Sequence, residues 1–301
     1  MGCEFQFLED AYRLPLRMLR GISDDYPRII ELDARQSSQF VSAMMLIAPA
    51  LQNGLEIRTG ADRVSDPYIR QTLLLMREMG ETIDDDGISI RVESGYHFPM
   101  MGYAVESDWS AAAFFYARLA LGETGSLFFP GLHRSGLQGD QKVAEFFTAF
   151  GVSTMETDDG IQIEKTKCEW PVDVQFDFTA FPDLFPPLAM FCAIRKVNAR
   201  FNGLQHLEHK ESNRLKVISE FLLEQSVQME FTKHPSGMLS GVFHMSNFST
   251  AIKDHYSSHG DHRIAMAFSL LNVLRPIRID DPEVVGKSFP GYWEEMGRLK
   301  G

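Results

Sequence analysis

A repeat of about 70 to 80 residues constrains this chain more than any other feature of its sequence. Four segments open with a polar cluster that runs into an apolar helix. They start at Ser37-Ser38-Gln39-Phe40, Ser107-Asp108-Trp109-Ser110, Asp183-Leu184-Phe185 and Gly260-Asp261-His262-Arg263. Ser107-Asp108 and Asp183 have the chemistry of N-caps. A second landmark follows each start by 27 or 28 positions, at Ser65, Ser135, Lys210 and Ser288. Apolar side chains then recur at helical spacing, from Tyr68 to Met79, Val143 to Phe150, Leu215 to Leu223 and Tyr292 to Met296. Gly80 and Gly151 stop the first two of these helices. Asp84-Asp85-Asp86-Gly87 and Asp158-Asp159-Gly160 then supply hairpin turns between short strands. A strand precedes the first helix, as in Arg28 to Leu32 and Val174 to Phe178. Each repeat is therefore β-α-β-α-β-β, and the fold class is α/β built from repeated units.

The repeat register also predicts how the ends relate to the units. Residues 3 to 20 read as the closing strand pair of a unit whose helices are absent, and the fourth unit reaches Gly301 just after its second helix. The expectation is that N-terminal residues are missing.

Composition narrows the class of partner. A net charge of -12 opposes a nucleic-acid partner, which needs a basic surface, but permits a small anion held by a few convergent Arg and Lys side chains. The longest apolar stretch, Leu184 to Ile194, is broken by two prolines and is too short to span a membrane. The N-terminus lacks the charged and apolar regions of a signal peptide. Cys3, Cys168 and Cys192 are odd in number and widely spaced, which fits reduced thiols and a cytoplasmic location.

The densest polar string is His206-Leu207-Glu208-His209-Lys210-Glu211-Ser212-Asn213-Arg214. Lys210 and Arg214, four apart, would share one face at a helix start, with Glu211 beside them, and form an anion site. A solvated charged helix start is the plainer alternative. Ser37-Ser38-Gln39 puts two hydroxyls and an amide at another helix start, where capping accounts for one Ser only. Asp183 stands between aromatic and proline residues, where a carboxylate needs compensation or a capping role. Arg263 and Lys287 lie at further helix starts. His255, His259 and His262, beside Asp254 and Asp261, have spacings of metal ligands on a helix, but Ser257, Ser258 and Gly260 between them favour a loop.

Six collinear strings resemble the EPSP synthase (3-phosphoshikimate 1-carboxyvinyltransferase) family. They are Ser37-Ser38-Gln39-Phe40, Val64-Ser65-x-Pro67-Tyr68-Ile69, Gln138-Gly139-Asp140, Lys210-Glu211-Ser212-x-Arg214, Asp261-His262-Arg263-x-Ala265-Met266-Ala267 and Lys287-Ser288-Phe289-Pro290-x-Tyr292. The resemblance runs from about Phe5 to Leu299. It implies the two-domain enolpyruvyl transferase-like fold, with β-α-β-α-β-β units around pseudo-threefold axes. The boundary falls near Ala104-Val105, giving a partial domain over 1–104 and a C-terminal domain of nearly three units over 105–301. It implies transfer of the enolpyruvyl group from phosphoenolpyruvate to the 5-hydroxyl of shikimate 3-phosphate, with no metal or other cofactor.

The resemblance assigns Ser37, Ser38, Ser65, Tyr68, His206 and Lys210 to shikimate 3-phosphate, His206 standing where relatives carry Asn or another polar residue. Gln39, Arg214, Arg263 and Lys287 go to phosphoenolpyruvate. Asp183 corresponds to the proton acceptor at the 5-hydroxyl and Glu211 to the proton donor at the methylene, with Lys210 beside them. The implied partners are these two anions alone, without nucleic acid or membrane, for a monomer when full length. The family's N-terminal Lys-Ser pair, a nearby Arg, and Asn-Gly and Arg sites, which contribute to both substrates, have no counterpart here, and their loss is expected to weaken or abolish turnover by this chain. UDP-N-acetylglucosamine enolpyruvyl transferase, which uses a loop cysteine, is the nearest rival, and a ligand-binding remnant is the non-catalytic one.

Overall fold

A computed structural model describes residues 1–34, 38–61, 63, 65–95 and 102–299. Two compact units are present, residues 1–102 and 103–301.

In the first unit, β1 (Glu4–Phe7) and β2 (Leu16–Arg20) form an antiparallel pair with most side chains exposed. One full repeat follows: β3 (Ile29–Glu31), α1 (Ser38–Ile47), β4 (Leu55–Arg58), α2 (Asp66–Glu78), β5 (Ile83–Asp85) and β6 (Ser89–Val92). The sheet order is β3-β4-β6-β5, with β3 and β4 parallel and β6 antiparallel to both neighbours. Val41 and Met45 of α1 and Ile69 and Leu73 of α2 recur at helical spacing and are buried with Ile57 and Ile90 of the sheet.

The second unit begins with α3 (Trp109–Leu121), β7 (Ser126–Pro130), α4 (Val143–Thr148), β8 (Val152–Thr157) and β9 (Gly160–Lys165), in sheet order β7-β9-β8. Part of the stretch that would lead this repeat, residues 96–101, lies outside the described residues, and 102–108 form no strand. The next repeat is complete: β10 (Asp173–Asp177), α5 (Phe185–Arg195), β11 (Asn198–Asn202), α6 (Arg214–Glu224), β12 (Gln228–Lys233) and β13 (Leu239–His244). Its order, β10-β11-β13-β12, repeats that of the first unit's sheet. Then come β14 (His255–Ser257), α7 (His262–Ser269), β15 (Arg278–Asp280) and α8 (Tyr292–Arg298), with β14 and β15 parallel.

Helix α5 explains the core. Every residue from Phe185 to Ile194 is buried, and α5 packs against both α3 and α7. A helix apolar on all sides must be enclosed, so Phe185, Leu188 and Phe191 lie inside a cluster that includes Phe114, Phe147 and Phe201. No described helix is long and apolar enough to cross a membrane.

Candidate active site

The candidate residues follow the C-terminal ends of parallel strands. β3 and β4 lead to Ser38 and Ser65, β10 and β11 to Asp183 and the string from His206 to Arg214, and β14 and β15 to Arg263 and Lys287. This is the end of an open α/β sheet at which loops carry ligands.

In the second unit, Asp183 lies in a 3-10 turn, Pro182–Leu184, just ahead of α5. It is not an N-cap. Pro186 and Pro187 fill the second and third helical positions, so neither offers an N–H for a cap to accept. The other two central helices have ordinary caps: Asp108 accepts the Ser110 N–H at 2.8 Å, and Asp261 accepts that of Arg263 at 2.9 Å. The carboxylate of Asp183 instead takes Arg214 at 2.7 Å, Arg263 at 3.2 Å and Lys210 at 3.4 Å.

Lys210 and Arg214 converge on Asp183 without sharing a helix face. Leu204–His209 is a 3-10 helix, and α6 begins only at Arg214 because Asn213 caps it, accepting the Lys216 N–H at 2.9 Å. Lys210 and Glu211 therefore stand on the turn ahead of α6. Gly203 opens this stretch with φ +75°, where a Cβ would lie 2.2 Å from the Thr179 amide nitrogen.

Arg214 binds the site together. Its side chain is 1% exposed, and it donates to Asp183 and Glu211 at 2.7 Å each and to Asp261 at 2.8 and 3.2 Å. Lys287 donates to the other oxygen of Glu211 at 3.0 Å. Asp261 is fully buried and also accepts the Ser212 hydroxyl at 3.0 Å. Four cationic side chains thus meet three carboxylates, an excess of one positive charge suited to an anionic ligand.

Burial by itself raises the pKa of each carboxyl, but the neighbouring cations overcome it. Arg263 leads for Asp183, and Arg214 for Glu211 and Asp261, so all three are held below the ordinary carboxylate range. A carboxyl whose folded pKa lies below its unfolded value adds stability above the unfolded value and loses it as pH falls through the folded one. All three tryptophans, Trp109, Trp170 and Trp293, lie in this unit, so their fluorescence isolates its unfolding. The thermal midpoint should drop as pH falls below about 4. A midpoint unchanged down to about pH 3 would show that these pairs do not stabilise the fold.

His206 is no cation at neutral pH. Burial, with Lys210 and His209 nearby, pushes its imidazole down to about 4, and its Nε2 lies 2.7 Å from the Gln205 amide nitrogen. Burial and Arg263 also lower His262. His255 pairs with Asp280 from β14, and His259 occupies a turn at φ +52°, so the three histidines do not share a helix. Among the described residues no group of three or more His, Cys, Asp or Glu side chains is placed to hold a metal ion.

In the first unit, Ser38 is buried at the first position of α1, with Gln39 next to it. Ser65 occupies the N-cap position of α2 at φ +53°, a left-handed conformation that a non-glycine residue keeps only when its surroundings impose it. Its carbonyl accepts the Tyr68 N–H at 3.0 Å. Ser37 and Val64 lie outside the described residues.

Asp261 joins this cluster through Arg214, a contact that its place beside the metal-spaced histidines and in the Asp261-His262-Arg263 string did not foretell. Its signal was adjacency to Arg263, but its contact with Arg214 spans 47 positions.

The family model of EPSP synthase (3-phosphoshikimate 1-carboxyvinyltransferase) matches residues 1–296. The chain belongs to the EPSP synthase family. Within that family it is 36% identical over 282 residues to a 3-phosphoshikimate 1-carboxyvinyltransferase of Bacteroides fragilis, covering 89% of this chain and 64% of the relative. It is 32% identical over 304 residues to that of Syntrophobacter fumaroxidans, covering all of this chain and 69% of the relative. The fold matches the EPSP synthase of Acinetobacter baumannii with a TM-score of 0.69 at 21% identity, over 99% of this chain and 68% of that one. The chain thus spans just under two thirds of the length of its Bacteroides EPSP synthase relative.

Proposed function

We propose that this EPSP synthase family member binds shikimate 3-phosphate and phosphoenolpyruvate and transfers the enolpyruvyl group to the 5-hydroxyl, releasing phosphate. The observation that carries this reading is one buried guanidinium, Arg214, holding two carboxylates, Asp183 and Glu211, inside a cluster of excess positive charge. Asp183 accepts the proton of the 5-hydroxyl as its oxygen bonds to the vinyl carbon, and Glu211 delivers a proton to the methylene. The resulting tetrahedral ketal collapses as phosphate leaves: Glu211 takes a proton back from the methyl group, and Asp183 gives its proton to the departing phosphate. Lys210, with Ser37, Ser38, Ser65, Tyr68 and His206, holds the shikimate phosphate and hydroxyls. Gln39, Arg214, Arg263 and Lys287 hold the phosphate and carboxylate of phosphoenolpyruvate. Family membership supports the substrate pair, and the free cysteines fit a cytoplasmic location. Residues 1–104 and 105–301 are assigned as its two domains.

The deciding experiment is phosphate release that requires both substrates, with calorimetry of each alone. Binding of both without release would favour a ligand-binding protein over an enzyme. Within this reading, Arg263→Ala and Lys287→Ala weaken phosphoenolpyruvate more than shikimate 3-phosphate. Each lost charge-assisted contact is expected to cost about 10- to 150-fold in affinity. Lys287 is the more exposed and should fall at the lower end. Equal losses for both ligands would overturn the division of the site.

A further inference from the structure

Arg214 and Arg263, both assigned to phosphoenolpyruvate, start different helices, and one carboxylate ties them together. Asp261 is the N-cap of α7. Its Oδ1 accepts the Arg263 N–H at 2.9 Å and a hydrogen from Arg214 Nη2 at 3.2 Å. Its Oδ2 accepts the Arg214 Nε–H at 2.8 Å and the Ser212 hydroxyl at 3.0 Å. The two Arg214 bonds run side by side along one edge of the guanidinium, which fixes its plane as well as its place. With that edge taken, Nη1 turns to Asp183 and the other Nη2 hydrogen to Glu211. The capping bond meanwhile fixes the backbone from which Arg263 projects.

We propose that Asp261 is a positioning residue for phosphoenolpyruvate, which sets Arg214 relative to Arg263 so that both guanidiniums meet one anion. Its side chain has no exposed surface, so it acts through the two arginines and not on the ligand. The competing role is charge compensation for Arg214, whose side chain is 1% exposed. Asp183 and Glu211 already supply two carboxylates for that purpose. The two roles predict opposite signs. A carboxylate that only balances charge also draws Arg214 away from an incoming anion, so its loss tightens binding. A carboxylate that aligns the two cations is needed for binding, so its loss weakens it.

The inference rests on the phosphoenolpyruvate reading, and two measurements on the whole chain keep them apart. The first is calorimetry with phosphoenolpyruvate and, separately, with shikimate 3-phosphate. Asp261→Asn can still cap α7, but its NH2 replaces an acceptor of Arg214 and Ser212 with a donor. Asp261→Glu keeps the charge and displaces it by one methylene. Each should weaken phosphoenolpyruvate by about 10- to 100-fold. Lys210 is held by Asp183 and not by Asp261, so shikimate 3-phosphate affinity should stay within a few fold. Tighter phosphoenolpyruvate binding by the Asn chain, unchanged binding by the Glu chain, or equal losses for both ligands overturns the positioning role. The second measurement needs no ligand. The buried Arg214 Nε–H should give a slowly exchanging proton resonance, and both variants should exchange it faster; unchanged exchange overturns the proposal. If the unsubstituted chain binds no phosphoenolpyruvate, the reading of the site falls and the Arg214 resonance alone decides. If tryptophan fluorescence shows that both Asp261 variants are unfolded, Ser212→Ala decides, since it leaves every charge in place. It should weaken phosphoenolpyruvate by about 2- to 10-fold, the worth of one hydrogen bond, and unchanged affinity overturns the proposal.

Discussion

Arg214→Ala is expected to destabilise residues 103–301 by about 3 to 5 kcal/mol, more than any other single substitution in the site. The reason lies in what it leaves behind. Asp261 is fully buried and Asp183 nearly so, and both lose their shortest ion pair when the guanidinium goes. Arg263 and Lys210 remain for Asp183, but among the described residues Asp261 keeps hydrogen bonds only from the Ser212 hydroxyl and the Arg263 N–H, with the His262 imidazole 3.9 Å away. A buried carboxylate deprived of its cation must stay charged at high cost or take up a proton. For a unit of this size the loss corresponds to a midpoint lower by about 6 to 20 °C, read by tryptophan fluorescence. Adding Asp261→Asn should recover part of it, because the orphaned charge disappears. A loss under about 1 kcal/mol would mean that the network is solvated and that Arg214 is an ordinary surface pair.

The repeat was legible because its signal is local. Helix starts, the Gly80 and Gly151 stops and the acidic-Gly turns are each fixed within a few residues, and α2, α4, α6 and α8 formed where the periodicity placed them. The convergence on Asp183 was only half legible. Lys210 and Arg214 share a string, yet the face-sharing geometry failed because Asn213 is a better cap than Lys210 is a helix start. For Asp183, the cap position falls one residue later, on Leu184, the Phe185 N–H goes to the Pro182 carbonyl, and Pro186 and Pro187 offer none. Asp261 was the least legible. Its partner Arg214 lies 47 positions away, and no local pattern reports a contact made by tertiary packing.

Asp183→Asn and Glu211→Gln should each lower turnover by about 10²- to 10⁴-fold while leaving shikimate 3-phosphate binding nearly intact. Asn and Gln keep the shape and one acceptor oxygen, so Arg214 retains a partner, but neither can exchange a proton. Each carboxyl has a distinct handicap. Asp183 is held so low by Arg263, Lys210 and Arg214 that in this arrangement it is a weak base. A dianionic phosphate or a carboxylate entering the site draws those cations to itself, and the Asp183 carboxylate then gains proton affinity as the hydroxyl comes into reach. Glu211 is also held low, so its role as a proton donor requires the ligand to draw Arg214 and Lys287 away from it. Base strength on one side and acid strength on the other thus both depend on the anions being bound. Two outcomes follow in phosphate-release assays. Turnover should collapse in both variants while calorimetric affinity for shikimate 3-phosphate stays within a few fold, and Arg263→Ala should impair turnover beyond its effect on affinity, because it removes the cation that leads the control of Asp183. Near-normal rates in both carboxyl variants would remove Asp183 and Glu211 from the chemistry and leave the cluster as an anion-binding site alone.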